Sequence, residues 1–119
     1  MNGRGKRNKG AAGEREVAGI LTDHLGIAVK RNLGQARDGA DDLTVEHFRL
    51  EVKRQETIRI DAWSQQVEAC ATPGEVPVVV YRRNGQPWRV CLLLEDFIPM
   101  MRDQLTGGNN AKQPEAGDR

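Results

Sequence analysis

Apolar and polar residues follow two different periods along this chain, and the change of period marks the boundaries of its elements. Residues 48–54 predict a strand with one apolar face, because over 48–53 apolar side chains at even positions alternate with charged ones at odd positions. Residues 27–31 and 43–46 are also predicted strands, and 43–46 is close enough to 48–54 for a tight antiparallel pair. Residues 13–25 predict an amphipathic helix whose apolar residues recur at helical spacing: Val17, Ile20, Leu21 and Leu25.

The second half of the chain repeats this change of period. Asp61 is a good N-cap for a second helix. The inward stripe of that helix is Trp63, Val67, Cys70 and Ala71. Asn84-Gly85 predicts a two-residue hairpin turn. The elements around this turn are a β-branched strand at 76–82, a returning strand at 88–94 and a helix at 95–105. Pro99 is tolerable in that helix only within the first turn.

The predicted order αβββαββα indicates an α/β domain, with a mixed sheet of about five strands flanked by helices. A chain of 119 residues buries about two-thirds of its unfolded surface, which is enough for one core. We therefore predict a flexible basic arm at residues 1–9, one folded domain at 10–105 and a disordered tail at 106–119. The tail has no apolar residue larger than alanine and proline.

The strand at 48–54 also carries the first candidate chemistry, Glu51-Val52-Lys53. Alternation puts Glu51 and Lys53 on the same face, away from the apolar side chains. A carboxylate beside an ammonium, joined by a second carboxylate from the preceding strand, can hold a divalent cation and place a water next to it. The alternative is a solvated strand face with a Glu/Lys pair.

Two further polar residues are predicted to face inward. Glu14 falls near the centre of the apolar stripe of the first helix, where a carboxylate is costly unless it is paired or metal-bound. An ordinary charge at a helix start is the alternative, but it does not explain the inward direction. Gln66 lies on the inward side of the second helix and Gln65 on the outward side. Gln66 is either a hydrogen-bonded core amide or a group that reaches the reacting water or phosphate.

In the type and order of these residues, the chain resembles the PD-(D/E)XK nuclease superfamily. Within it, the sequence is most similar to the small archaeal-type Holliday junction resolvases and their phage-encoded relatives. The resemblance covers residues 9–99. The matching segments are 9–15, 26–31, 39–43 for the PD motif, 51–53 for the (D/E)XK motif, and Gln66.

The resemblance implies a site that binds Mg²⁺ (or Mn²⁺). Asp41, Glu51 and the backbone carbonyl of Val52 would be its ligands, and Glu14 would complete the shell directly or through a water. Lys53 would orient the attacking water or neutralise charge on the phosphate, and Gln66 would position water or phosphate. The implied activity is endonucleolytic cleavage of DNA.

The chain departs from the family pattern at Ala40, where the motif has proline. The turn before Asp41 is then less fixed, and Asp42 becomes a rival ligand. Asp41 is favoured because Leu43 and Val45 best match the hydrophobic pair that follows the motif.

The net charge of +1 does not by itself indicate nucleic acid, but the cations are unevenly distributed. The first nine residues contain only basic charges, which suits sequence-independent attraction to phosphates. A solubilising tail is the alternative. The candidate DNA contacts are Arg4, Lys6, Arg7, Lys9, Arg31 and Arg37.

Three functions follow from these observations. The first is a Holliday junction resolvase acting as a homodimer, since symmetric incision needs two sites related by a two-fold axis. The second is a nuclease of the same fold that cuts flaps, nicked or linear duplex, and the third is a non-catalytic DNA-binding module. Cys70 and Cys91 lack metal-binding spacing and are expected to be buried thiols of a reducing cytoplasm. For a phage-encoded protein, this is the cytoplasm of the bacterial host.

Overall fold

The computed structural model describes residues 2–31 and 42–106, and for residues 2–11 and 42 it describes the backbone alone. Three helices and five strands follow one another in the order α1 (Asn2–Leu25), β1 (Lys30–Arg31), β2 (Asp42–Val45), β3 (Phe48–Arg54), α2 (Ile60–Cys70), β4 (Val76–Arg82), β5 (Arg89–Leu92) and α3 (Leu94–Leu105). The predicted order αβββαββα is confirmed.

The strands form one mixed sheet in the order β1-β2-β3-β4-β5, with β3 in the middle. β3 and β4 are parallel, and the other neighbouring pairs are antiparallel. Because parallel neighbours need a crossover, α2 connects β3 to β4 across one face of the sheet. The predicted α/β fold, with a five-stranded mixed sheet flanked by helices, is confirmed.

Two hydrophobic clusters lie on opposite faces of this sheet. On one face, α1 contributes Val17 to a cluster with strand residues Leu43, Val45, Leu50, Val52, Val78 and Val80. On the other face, Trp63 and Val67 of α2 pack with Val79. Leu50 and Val52 therefore face α1, and alternation places Glu51 and Lys53 on the α2 face. Glu51 is also the register partner of Val79, which belongs to the α2 cluster.

α1 begins at Asn2, whereas the sequence predicted a helix from Gly13 after a flexible basic arm. Residues 2–9 thus lie in the helix and not in an arm. Apolar periodicity could not indicate these turns because no apolar stripe reaches them. A helix held by a packed segment can propagate without a stripe, since each added residue gains one backbone hydrogen bond. The predicted stripe is only partly buried, because Ile20 and Leu25 are exposed.

Several predicted boundaries also shift. β1 contains only residues 30–31 and not 27–31, and β5 contains only residues 89–92 and not 88–94. Glu46 leaves β2 because it adopts a φ of 54° in the tight turn to β3. The β4–β5 connection is longer than a two-residue turn, since Tyr81 and Arg89 form its last strand pair.

The helix ends differ from the sequence predictions as well. Arg59 is the N-cap of α2, and Asp61 lies in the first helical turn, where a carboxylate favours the helix dipole. Pro99 lies beyond the first turn of α3, because that helix begins at Leu94. Cys70 is exposed on the last residue of α2, so it is not the buried thiol expected. Apart from Thr106, the predicted disordered tail lies outside the described residues. Within the described ranges, none of the helices has the length and apolar content needed to cross a membrane.

Candidate active site

Glu51 and Lys53 form an ion pair in the middle strand of the sheet. Glu51 is only 1% exposed. Its Oε2 lies 3.4 Å from Nζ of Lys53, whose side chain is 16% exposed. A buried carboxylate is costly in a sheet unless cations or hydrogen-bond donors compensate it. The apolar alternation of β3 forces this pair onto the α2 face, as the sequence predicted.

Trp63 of α2 covers the lysine. Nζ of Lys53 lies 5.9 Å from the centre of the Trp63 ring, within the range of a cation–π interaction. Tyr81 of β4 supports the indole, with ring centres 6.2 Å apart. Lys53 is thus held between a carboxylate and an aromatic face, which restricts where its ammonium can point. Sequence reasoning placed Trp63 in the core stripe and missed this role.

Gln66 lies one helical turn after Trp63. It is half-buried, whereas Gln65 is exposed, so the predicted inward side of α2 is confirmed for Gln66. Residues three apart on a helix lie on the same face. Gln66 therefore belongs to the side of α2 that covers the sheet, as its proposed role near the site requires.

Glu14 is the second deeply buried acid, at 2% exposed, and its predicted inward direction is confirmed. Its Oε1 accepts hydrogen bonds from Arg31 at 2.8 Å (Nη2) and 3.2 Å (Nε). The backbone beside it lies close to β3, since a Cβ on Gly13 would be 3.7 Å from Cγ1 of Val52. The part of α1 beside Glu14 therefore packs against Val52 on the α1 face of the sheet, whereas Glu51 and Lys53 lie on the α2 face.

Arg31, predicted to contact DNA, has a contact inside the protein. Its guanidinium compensates the buried charge of Glu14, while its side chain stays 33% exposed. Such charge-assisted pairs orient the guanidinium and hold it in place. The described geometry thus holds the Arg31 guanidinium beside Glu14. It also gives Glu14 a structural partner that the sequence did not predict.

Two acids, Asp41 and Asp42, stand beside the start of β2 in the sequence. Asp41, the predicted ligand, lies outside the described residues, as does Arg37. Asp42 begins β2, and its Cα is the register partner of Glu51. In β3, residues 52–54 extend past this last pair with β2. The rival acid therefore lies at the register position of Glu51, next to the segment that carries Lys53.

The donor types present suit a hard divalent cation. Glu51, Glu14 and the Val52 carbonyl offer oxygen atoms, which Mg²⁺ and Mn²⁺ prefer over the nitrogen and sulfur ligands typical of zinc. Among the side chains that the structure describes, no three His, Cys, Asp or Glu residues come together as a metal cluster. The predicted cluster also includes Asp41, so this observation does not cover the full ligand set.

A second charged network holds α1 against the ends of β3 and β4. Glu16 accepts hydrogen bonds from Nη2 of Arg82 at 3.0 Å and 3.2 Å, and Arg54 lies 3.9 Å away. The Arg82 hydrogen bond lowers the pKa of Glu16, and Trp88 and Arg54 lower it further against an opposing effect of burial. Arg82 also lies over the Trp88 ring at 5.0 Å. Arg82 is therefore engaged in the protein interior.

The basic residues available to a ligand differ from those that carry this network. In the β4–β5 hairpin, Arg83 and Arg89 are exposed. The side chains of the predicted contacts Arg4, Lys6, Arg7 and Lys9 are not described, but their backbone belongs to α1.

Residues 5–112 match a protein-family model whose description is "Phage putative PDDEXK endonuclease". The matched range includes Glu14, Glu51, Lys53 and Gln66 and covers most of the chain. No curated protein and no solved structure matches the chain.

Proposed function

The chain belongs to the phage PDDEXK endonuclease family, and from this premise we propose that it is a metal-dependent endodeoxyribonuclease that hydrolyses phosphodiester bonds. The observation that carries the proposal is the buried Glu51 carboxylate, 3.4 Å from the Lys53 ammonium in the middle strand. A strand face that only met solvent would have no reason to bury both charges of this pair. A site that must hold a cation and a water needs such a pair.

In this proposal, Glu51 holds Mg²⁺ (or Mn²⁺) with the Val52 carbonyl and an acid from the start of β2. Glu14 adds to the shell directly or through a water. When bound, the cation supplies Lewis acidity and lowers the pKa of a bound water. Lys53 orients that water and neutralises charge that develops on the phosphate, while Gln66 positions water or phosphate.

The acid from β2 is either Asp41 or Asp42. The sequence favoured Asp41 from the hydrophobic residues after the motif. Directly opposed residues on antiparallel strands share a face, with Cα atoms about 4.5–5.5 Å apart. Asp42 is the residue opposed to Glu51, so the register supports Asp42 as the ligand. We therefore keep both acids in the proposal and give Asp42 the larger role.

The finer proposal concerns the substrate. We propose a structure-selective enzyme that resolves Holliday junctions as a homodimer, on the basis of the resemblance of its motifs. Arg31, held by Glu14 with its side chain 33% exposed, and the basic first turns of α1 would contact the DNA backbone. In a phage infection the enzyme would act in the cytoplasm of the bacterial host, where branched DNA arises.

The test is a cleavage assay with the purified full chain. Four-way junction, flap, nicked and linear duplex DNA are compared in Mg²⁺, Mn²⁺ and EDTA. We expect metal-dependent cleavage, with the junction cut fastest. Faster cleavage of flaps or linear duplex would keep the nuclease and replace the resolvase.

Variants separate catalysis from folding and binding. Glu51→Gln and Lys53→Ala are expected to abolish cleavage and leave the fold and DNA binding largely intact. Glu68→Gln is the matched control, since Glu68 is an exposed acid on α2. If wild type binds DNA but takes up no Mg²⁺ in calorimetry and cuts none of the substrates, the chain is a non-catalytic DNA-binding module.

A further inference from the structure

α3 presents an apolar stripe that the rest of the described chain does not cover. None of its residues is buried. The stripe consists of Leu94 (67% exposed), Phe97 (42%), Ile98 (39%), Met101 (39%) and Leu105 (86%). These positions follow i, i+3, i+4, i+7 and i+11, so they form one face of the helix. An apolar face of this kind on a surface helix marks a contact with another molecule.

The undescribed parts of this sequence lack the side chains to cover the stripe. Residues 1–11 contain one large apolar residue, Met1, and residues 32–41 contain one, Leu33. Residues 107–119 contain none. A partner that brings apolar residues of its own would cover these five side chains.

We propose that this partner is a second copy of the same chain, with the two α3 helices packed antiparallel across a two-fold axis. Such a contact is isologous, so each residue meets its counterpart from the other end of the helix. With the axis near Pro99, Leu94 of one copy meets Leu105 of the other. The apolar positions near the centre, Ile98 and Met101, pair in the same way.

The charges flanking the stripe support this arrangement over contact with an unrelated surface. Glu95 and Arg102 are seven residues apart, which places them on the same flank of α3. In an antiparallel pair related by a two-fold axis, equal flanks face each other with reversed direction. Glu95 of each copy would then lie opposite Arg102 of the other and give two symmetric ion pairs. Asp96 and Asp103 lie away from the stripe, where Asp96 is half-buried and Asp103 is exposed.

The interface must extend beyond α3 to be stable. A helix of 12 residues is about 18 Å long, and one helix pair buries less than the about 800 Å² per partner of a standard interface. The segment before α3 supplies more apolar surface, because Val90 of β5 is 61% exposed and Leu93, the N-cap of α3, is 38% exposed. β5 is the last strand of the sheet, so no described strand covers its outer edge. The proposed interface therefore consists of α3 and the side chains of Val90 and Leu93.

The experiment measures the mass of the full chain by sedimentation equilibrium over a range of protein concentrations, without DNA or metal. Wild type is expected to be a dimer. Glu95→Arg and Arg102→Glu should each raise the dimer dissociation constant about tenfold or more, because each places like charges together twice. The double variant should return it close to the wild-type value.

Asp103→Arg is the matched control, since it reverses a charge on the solvent side of the same helix and should leave the dimer intact. Ile98→Glu should give a folded monomer, because no residue of α3 is buried within one copy. The proposal would be overturned if wild type were monomeric at every protein concentration, or if Ile98→Glu left the dimer unchanged. Failure of the charge exchange to restore the dimer would overturn the antiparallel arrangement. The measurement involves no cleavage, so its outcome is independent of the proposed nuclease activity.

Discussion

Replacing Lys53 with methionine tests whether the charged pair in β3 exists for stability or for chemistry. The substitution keeps an unbranched side chain of similar length beneath Trp63 and removes the ammonium 3.4 Å from Glu51. Glu51, at 1% exposed, then loses its contact with this ammonium. We expect the variant to be less stable than wild type and to lose cleavage activity.

The size of the stability loss follows from burial. Breaking a fully buried pair costs about 3–5 kcal/mol because it leaves an uncompensated charge. Lys53 is 16% exposed, so water can reach part of the gap, and we expect about 2 kcal/mol. For a folded domain of this size, that loss lowers the Tm by about 10 °C. Loss of one electrostatic group at the reacting phosphate should lower kcat by about 10²–10³.

The double variant Glu51→Gln/Lys53→Met provides the decisive comparison. With both charges removed, no buried charge is left without its partner, and neutral replacements of similar volume are often as stable as the original pair. We therefore expect the double variant to regain most of the lost Tm while remaining inactive. Thermal unfolding by circular dichroism measures the first quantity, and junction cleavage measures the second.

Arg89→Met is the control for this comparison, because it removes an exposed cation from β5 and should change the free energy of unfolding by less than about 0.5 kcal/mol. A Lys53→Met protein with wild-type Tm and activity would show that the pair has neither role. A double variant no more stable than the single one would show that the two charges are not coupled, contrary to the geometry.

Other substitutions test three separate parts of the structure. Asp42→Asn should reduce metal-dependent cleavage more than Asp41→Asn, and the reverse order in a kcat comparison would restore the original preference. Glu16→Gln should lower stability at neutral pH by less than about 1 kcal/mol, since the Glu16 side chain is 38% exposed. Because the folded-state pKa of Glu16 is lowered from 4.5, its contribution is present above that pH and is lost as the pH falls through the folded value, so urea unfolding should show the difference vanish in acid. Gly13→Val should destabilise the protein, because its Cβ would lie 3.2 Å from an arginine Cβ on β3, while Gly19→Ala, with nothing within 4 Å, should raise the Tm.

The fold was predictable because its two central strands, β3 and β4, have clear apolar patterns. The bounds of β3 and β4 match the sequence prediction, since each is a continuous apolar or alternating run that the sheet buries. The bounds of α1 and β5 do not match. The ends of α1 and β5 depend on how exposed the chain is there and on the length of a neighbouring strand. Neither factor changes the spacing of apolar residues in the local sequence.

The sequence predicted the face on which candidate site residues lie, but not the residues that they contact. Alternation gave the shared face of Glu51 and Lys53, and helical spacing gave the inward direction of Glu14. Neither pattern could show that Arg31 binds Glu14 or that Trp63 covers Lys53. Those contacts join elements far apart in sequence, and their geometry depends on how the helices cross the sheet.

The alternation of β3 gives the strand two faces, one that packs in the core and one that carries the candidate site. Leu50 and Val52 fix the strand against α1, so the backbone that carries Glu51 and Lys53 is held by a core on the opposite face. A ligand or phosphate on the α2 face then meets side chains whose strand cannot shift without disrupting that core. Pre-organised groups of this kind need no rearrangement when charge develops in the transition state. The site therefore derives its rigidity from the same two-residue period that made it recognisable in the sequence.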